Sequence, residues 1–263
     1  MKKITLVTTF HKEGYEKYGR RMLQSFVEHA PQNINLVAYA EDFQPDFVSD
    51  RVTYIDLHKA CQNLVTFKKK FGRFTEAKGI VFQNNKAVYS YHFDAIRFSH
   101  KVYAVVHAAK HLDSDLMFWV DADVVAIKSI PEGFFEGLMA EDVYTCYLGR
   151  EHMYTECGLV GYNLKHPENI NFVQLMENIY NYGDLFLLEQ WHDCMVYDAV
   201  RDHFFKQGKI KVNNLSAHLK KNMHPFINTE LGEYMDHLKG PARKENGASF
   251  DSDFVSKNGQ KIN

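Results

Sequence analysis

Leu116-Met117-Phe118-Trp119-Val120-Asp121-Ala122-Asp123 decides how this chain is read. Five apolar residues in a row suit a strand covered on both faces, and the run stops on a pair of carboxylates. In an open α/β sheet, ligands gather outside the carboxyl ends of the strands, so the stretch predicts an acidic pair at the mouth of a crevice. Asp-x-Asp alone carries little information, since Asp113/Asp115 and Asp251/Asp253 match it too. Only Asp121/Asp123 directly follows a buried-strand pattern. Hard oxygen ligands there suit Mn²⁺ or Mg²⁺ shared with substrate phosphates; carboxylates that merely cap the turn are the plainer alternative.

Outward from this strand, residues 4–9 form a β-branched run, a polar turn follows at 11–14, and Met22, Leu23, Phe26 and Val27 recur at helical spacing before Pro31. Residues 36–40 and 52–57 read as further strands, the rhythm of βα units on a mostly parallel sheet. A basic helical stretch covers 59–74, and 75–89 shows no clear period. The spacing predicts a helix over 92–110, with Phe93, Ile96, Tyr103 and Val106 facing the core and Asp94, Arg97 and Lys101 on a neighbouring stripe. After the acidic pair come a helix near 132–139, strands at 143–148 and 159–163, and helices at 168–182 and 188–205. The last 50 residues, including Lys220 and Lys221, read as irregular and wrapping back on the body. The expectation is an α/β protein: a twisted, mostly parallel sheet flanked by helices, one catalytic domain over 1–248, and a C-terminal tail over 249–263 that frays.

Composition narrows the function. The chain has 263 residues, enough for a sizeable core, and 31 Lys and Arg against 33 Asp and Glu give a net charge of −2. Such a balance holds no large field for a polyanion, so general nucleic-acid binding is not expected. Cys61, Cys146, Cys157 and Cys194 form no CxxC pair, which fits a reducing compartment and argues against structural zinc. The apolar run near the N-terminus is short for a signal peptide, and no stretch approaches the roughly 18 apolar residues of a membrane span. The expected address is cytoplasmic, with peripheral attachment to a membrane as the alternative.

Three further signals carry chemistry. Asp236-His237-Leu238-Lys239-Gly240-Pro241, followed by Arg243 and Lys244, offers an imidazole to a metal held by Asp123 and places cations and a backbone N–H against a diphosphate. Alone it reads as a polar turn. Glu189, His192 and Asp193 lie at i, i+3 and i+4 of a predicted helix start, as catalytic groups or as simple capping residues. Glu156-Cys157-Gly158 precedes a short strand, where a sugar can approach closely, and Thr8, Thr9 and Phe10 end the first strand at a natural place for a nucleotide base. His100, His107 and His111 read as helix-surface residues.

Together these parts resemble the GT-A glycosyltransferases, whose sheet is Rossmann-like, and most closely the family-8 type of glycogenin and bacterial galactosyltransferases. The resemblance rests on the strand ending in DADV, the preceding helix with Arg97 and Lys101, the Glu-Cys-Gly segment before a strand ending in YN, and the late HLKG turn. It implies that Asp121, Asp123 and His237 hold Mn²⁺ (or Mg²⁺), and that Lys239 and Gly240 bind the donor diphosphate, joined by Arg243 and Lys244. Arg97 or Lys101, with Asp94 on the same stripe, falls near the donor; Thr8, Thr9 and Phe10 are grouped there too. Glu156, Gly158 and His192 are placed on the sugar and acceptor side. HLKGPARK departs from the longer HxxGxxKPW ending of family 8. Trp191-His192-Asp193 is similar to the WHD of family 6, but Cys194 stands where that family has a glutamate, so a covalent glutamate mechanism does not carry over.

The expected activity is metal-dependent transfer of a sugar, expected to be a hexose, from a nucleotide diphosphate sugar to a hydroxyl acceptor such as a glycan, with retention implied by the resemblance. A UDP-sugar is favoured and a GDP-sugar is the alternative. Asp193 or Glu189 would orient the acceptor, support the oxocarbenium-like centre or act as base. The rivals are a haloacid-dehalogenase-type phosphatase, disfavoured because Asp121 comes late in the chain, and a non-catalytic nucleotide-sugar or carbohydrate-binding protein.

Overall fold

The computed structural model describes residues 2–219 and 223–254. Its strands and longer helices are β1 (Ile4–His11), α1 (Arg20–His29), β2 (Asn35–Glu41), β3 (Val52–Asp56), α2 (Gln62–Phe71), β4 (Ile80–Gln83), β5 (Lys86–Tyr89), α3 (Ala95–His111), β6 (Leu116–Val120), β7 (Val124–Ala126), β8 (Val143–Arg150), β9 (Met153–Asn163), α4 (Asn169–Tyr182), α5 (Asp193–Lys206), β10 (Lys211–Asn214), β11 (Met235–His237) and α6 (Pro241–Asn246).

Seven strands form one sheet in the order β10-β8-β9-β6-β1-β2-β3. β1 pairs in parallel with β2 and β6, and β2 with β3; β9 runs antiparallel to both β6 and β8. This is the α/β architecture expected. From β1 the chain moves outward through β2 and β3, then returns to pair β6 on the other side of β1. The strand order therefore reverses between the carboxyl ends of β1 and β6, the position where open α/β sheets bind ligands.

The apolar run of β6 has a direct cause. Leu116, Phe118 and Val120 enter the core on one face of the sheet with Leu6, Phe26 and Phe226, while Met117 and Trp119 enter the other with Val7, Tyr103, Tyr180 and Tyr197. Each such buried side chain contributes roughly 1.5–3 kcal/mol relative to exposure. No residue of this strand can be polar until it leaves both layers, and the first that leaves is Asp121.

Several element boundaries differ from the sequence expectation. The stretch 75–89 contains a hairpin, β4–β5, turned by Asn84 and Asn85 with φ of 49° and 60°; left-handed conformations at both central residues are those of a type I′ turn. The basic helix is interrupted at Cys61 (φ −112°, ψ 73°). The segment 132–139 yields only one helical turn, Phe134–Gly137. β9 begins at Met153, and the irregular C-terminal stretch contains β11 and α6. The helix placed over 188–205 starts at Asp193, because His192 is extended (φ −103°, ψ 166°) and the Trp191 N–H is drawn to His92 O at 2.7 Å. Glu189, His192 and Asp193 thus do not share a helical face. His100 and His107 are also less exposed than expected: His100 Nδ1 lies 3.2 Å from Glu41 Oε2, and His107 Nδ1 is 2.8 Å from the Tyr39 hydroxyl.

The start of the 249–263 tail is tied to the body. Ser249 donates through its N–H and Oγ to Asp236 (2.7 and 2.6 Å), and Arg243 pairs with Asp253. Residues 255–263 lie outside the described residues, as do Lys220 and Lys221. Among the described residues no helix is long and apolar enough to cross a membrane.

Candidate metal and donor site

Asp121 and Asp123 follow β6 on a turn closed by the Val124 N–H on Asp121 O (2.9 Å). β7, which leaves this turn, pairs antiparallel with β11 and sets His237 opposite Val124. Along β11, Met235 and His237 project to one side and Asp236 to the other, where it accepts the Ser249 bonds. The ladder therefore delivers one imidazole to the acidic turn from the far end of the chain. His237 Nε2 lies 3.2 Å from Asp123 Oδ1 and 4.0 Å from Asp121 Oδ2, and one ligand atom from each of the three residues lies within 4.8 Å of the others.

The neighbours of these groups fix their orientation. Asp121 Oδ1 accepts from the Trp119 indole N–H at 2.6 Å and from Lys101 Nζ at 2.8 Å, which leaves Oδ2 turned toward His237. Lys101 also donates to Cys157 O at 2.7 Å and ion-pairs with Asp193 Oδ2 at 2.9 Å. Burial opposes its charge, but Asp121 and Asp193 hold its pKa well above the usual lysine value. Behind His237, Glu156 Oε1 stands 3.5 Å from Nδ1. Lys239 pairs with Glu156, and Arg150 Nη1 lies 3.8 Å from it. Burial resists ionisation of Glu156, yet Lys239, His237 and Arg150 bring its carboxyl down to about 2. Burial likewise resists charge on His237, but Asp123 and Glu156 raise its pKa. Gly158 permits this packing: a Cβ there would stand 2.6 Å from His237 Nδ1.

The donor set is two carboxylates and one imidazole, borderline-hard chemistry that suits Mn²⁺ or Mg²⁺ better than a thiophilic ion. Lys244 Nζ lies 2.7 Å from Asp123 Oδ2, and with Asp121 Oδ2 and His237 it marks a spot where positive charge is already accommodated. The ring nitrogen that faces the two carboxylates is His237 Nε2, the atom a cation would take, while Nδ1 faces Glu156. These residues fit a divalent cation.

The fold brings together Asp121, Asp123, His237, Lys101, Lys239, Lys244, Glu156, Gly158 and Asp193. Other sequence candidates stand apart or are otherwise engaged. Phe10 turns into the core against Tyr15 and Phe43. Thr9 Oγ1 donates to Tyr39 O (2.9 Å), while Thr8 is buried at the end of β1 with its hydroxyl unpartnered among the described residues. Asp94 caps α3 through the Arg97 N–H (3.0 Å) and accepts from the Tyr89 hydroxyl (3.0 Å). Arg97 is exposed with Nη1 3.4 Å from that hydroxyl. Arg243 is committed to Asp253, Gly240 (φ 83°) leads into α6, and Glu189 is exposed ahead of α5. His192 is buried beneath Tyr154, with Nε2 2.8 Å from Gln190 Oε1; burial pushes its pKa down to about 4.

Trp119, Gln190, Arg150 and His224 carry no local sequence pattern that marks them as site residues. Gln190 Oε1 meets both His192 Nε2 and His92 Nδ1 (2.6 Å), a link that joins α5 to the segment before α3 and leaves no local pattern. Arg150 and His224 line a cleft of about 960 Å³ that opens beside Glu156 and Lys239 and extends to Asp198 and Arg201.

No protein-family model matches the chain, and no curated protein matches its sequence. Solved structures do. The bifunctional glycosyltransferase WbbM aligns over 91% of this chain at 12% identity and TM-score 0.53, and the active-site mutant Q189E of LgtC over 90% at 12% identity and TM-score 0.52. This chain has the GT-A glycosyltransferase fold. It spans about half of the WbbM chain (46%) and most of the LgtC chain (88%). In this chain the acidic turn after β6 lies at the strand-order reversal between β1 and β6, where Asp121, Asp123 and His237 meet.

Proposed function

We propose that this protein is a metal-dependent glycosyltransferase that moves a hexose from a nucleotide diphosphate sugar, UDP-linked before GDP-linked, to a hydroxyl of a glycan or similar acceptor, with retention of configuration. The observation that carries the reading is the convergence of Asp121, Asp123 and His237 at the carboxyl end of β6 in a GT-A fold. The same fold does not favour the phosphatase alternative.

Asp121, Asp123 and His237 would hold Mn²⁺ or Mg²⁺, which when bound supplies Lewis-acid stabilisation of the departing diphosphate. Lys101 and Trp119 fix the rotamer of Asp121, and pairing of β11 with β7 and close packing on Gly158 confine His237, so the ligands would need little reorganisation. Lys244, drawn to Asp123 when no cation is bound, and Lys239 offset phosphate charge, with Gly240 offering its backbone N–H. By the resemblance the nucleoside would lie along the carboxyl end of β1 and the head of α3, where Thr9, Asp94 and Arg97 would have to exchange their present partners Tyr39, the α3 N-terminus and Tyr89 for it. Glu156 and Asp193 provide the negative charge that suits an oxocarbenium-like centre, and the cleft beyond Glu156 gives the acceptor room. Losing one contact to the leaving group costs about 2–4 kcal/mol of transition-state stabilisation, by analogy with oxyanion donors.

A thermal-shift screen tests the reading. Mn²⁺ with a UDP- or GDP-sugar raises the Tm, and Asp123→Ala abolishes that rise. Phosphate release from simple phosphomonoesters without any nucleotide effect overturns it, and donor binding with neither transfer nor hydrolysis reduces the protein to a binding module.

A further inference from the structure

Cys157 stands on β9 next to Glu156, and Cys194 is the second residue of α5. One ligand atom from each of Cys157, Asp193 and Cys194 lies within 4.8 Å of the other two. Asp193 divides its oxygens: Oδ2 faces Lys101 at 2.9 Å, and Oδ1 accepts from Cys194 Sγ at 3.7 Å. Cys157 is buried and Cys194 half-buried, so the group is reached from the Cys194 side. The other thiols sit elsewhere: Cys61 donates to Tyr103 O (3.5 Å), and Cys146 lies against Gly161.

Two sulfurs and one carboxylate differ in kind from the two carboxylates and imidazole next door. Thiolates select Zn²⁺ and its heavier analogue Cd²⁺, whereas Mg²⁺ and Mn²⁺ prefer oxygen and imidazole. With Zn–S bonds of about 2.3 Å, tetrahedral ligand atoms stand roughly 3.8 Å apart, so a contraction of about 1 Å or less closes the set. Three protein ligands leave a fourth position open.

We propose that Cys157, Cys194 and Asp193 form a second cation site that takes Zn²⁺ or Cd²⁺, separate from the Asp121–Asp123–His237 centre and joined to it through Lys101. On binding, each thiol passes its proton to solvent and forms a metal–sulfur bond, with no change of oxidation state. The two thiolates neutralise the dication, and Asp193 Oδ2 keeps its pairing with Lys101. An ion held there draws on the carboxylate that balances Lys101, and so alters the charge felt by Asp121 without competing for its ligands. The proposal does not depend on sugar transfer.

Reduced full-length protein saturated with Mg²⁺ is titrated with Cd²⁺ and followed by ultraviolet absorption. One equivalent per chain producing a sulfur-to-cadmium charge-transfer band is expected; Asp123→Asn retains it and Cys194→Ser loses it. No band, a band that survives Cys194→Ser, or one lost in Asp123→Asn overturns the proposal. If Cys194→Ser misfolds by circular dichroism, alkylation of the wild-type protein decides: Zn²⁺ protects Cys157 and Cys194 together, and failure to protect either is equally fatal.

Discussion

Gly158 shows how much of the candidate centre depends on a missing atom. A Cβ there would press on His237 Nδ1 and Cε1 at 2.6 and 2.7 Å, and His237 cannot retreat because its backbone is paired with Val124. Gly158→Ala is therefore expected to cost about 1–3 kcal/mol by overpacking and to weaken cation binding about 10–100-fold through the displaced ligand. Urea denaturation and calorimetric Mn²⁺ titration measure the two effects, and an unchanged Mn²⁺ affinity would show that His237 does not touch the ion. Asp121 and Asp123 were legible in the sequence because a solid apolar run announces where a strand must end. Gly158 was visible only as a glycine before a strand; the need for it comes from a ring on β11, some 80 residues later, and no local pattern encodes such a crossing. Lys101 reads from the sequence as a basic residue on the stripe before the acidic pair, but its commitment to both Asp121 and Asp193 does not, since Asp193 arrives on another helix.

At the level of elements, β11 carries His237, the proposed third ligand, while being only three residues long, and Asp236 anchors it by accepting two bonds from Ser249. Asp236→Ala leaves the half-buried Ser249 N–H and hydroxyl without their acceptor, a loss of about 1 kcal/mol. Faster hydrogen exchange is expected at the amides of β11 and β7, with β1 and β2 unchanged; uniform acceleration across the sheet would mean that the strand is not a separate unit. The long strands and α3 could be read from periodicity because they bury whole faces. β11 could not, since three residues hold no period. The hairpin β4–β5 is hidden for another reason: its strands are mostly exposed and do not alternate, and the signal that does exist, Asn84-Asn85, works through backbone conformation. The start of α5 lies later than its sequence suggests because capping chemistry at 189–193 resembles a helix start, while the His92–Trp191 bond that holds the segment extended is a long-range event.

Across the whole molecule, burial lowers the pKa of His100 to about 3 and of His192 and His224 to about 4. Each sits below the unfolded value near 6.5, so its contribution is complete above that pH and is lost as the pH falls toward 4, by up to about 3 kcal/mol per histidine. His237, with a raised pKa, has the opposite sign and contributes below pH 6.5, losing that contribution as the pH rises through its own value. The urea midpoint is expected to fall steadily from pH 6.5 to 4, less steeply in His192→Gln; a flat profile would show that these rings are already protonated in the folded protein. The fold also orders events in time. A ribosome releases Asp121 and Asp123 long before residue 237, so a nascent chain displays its acidic pair with no imidazole beside it, and the proposed three-residue centre can assemble only once β11 has emerged and paired with β7.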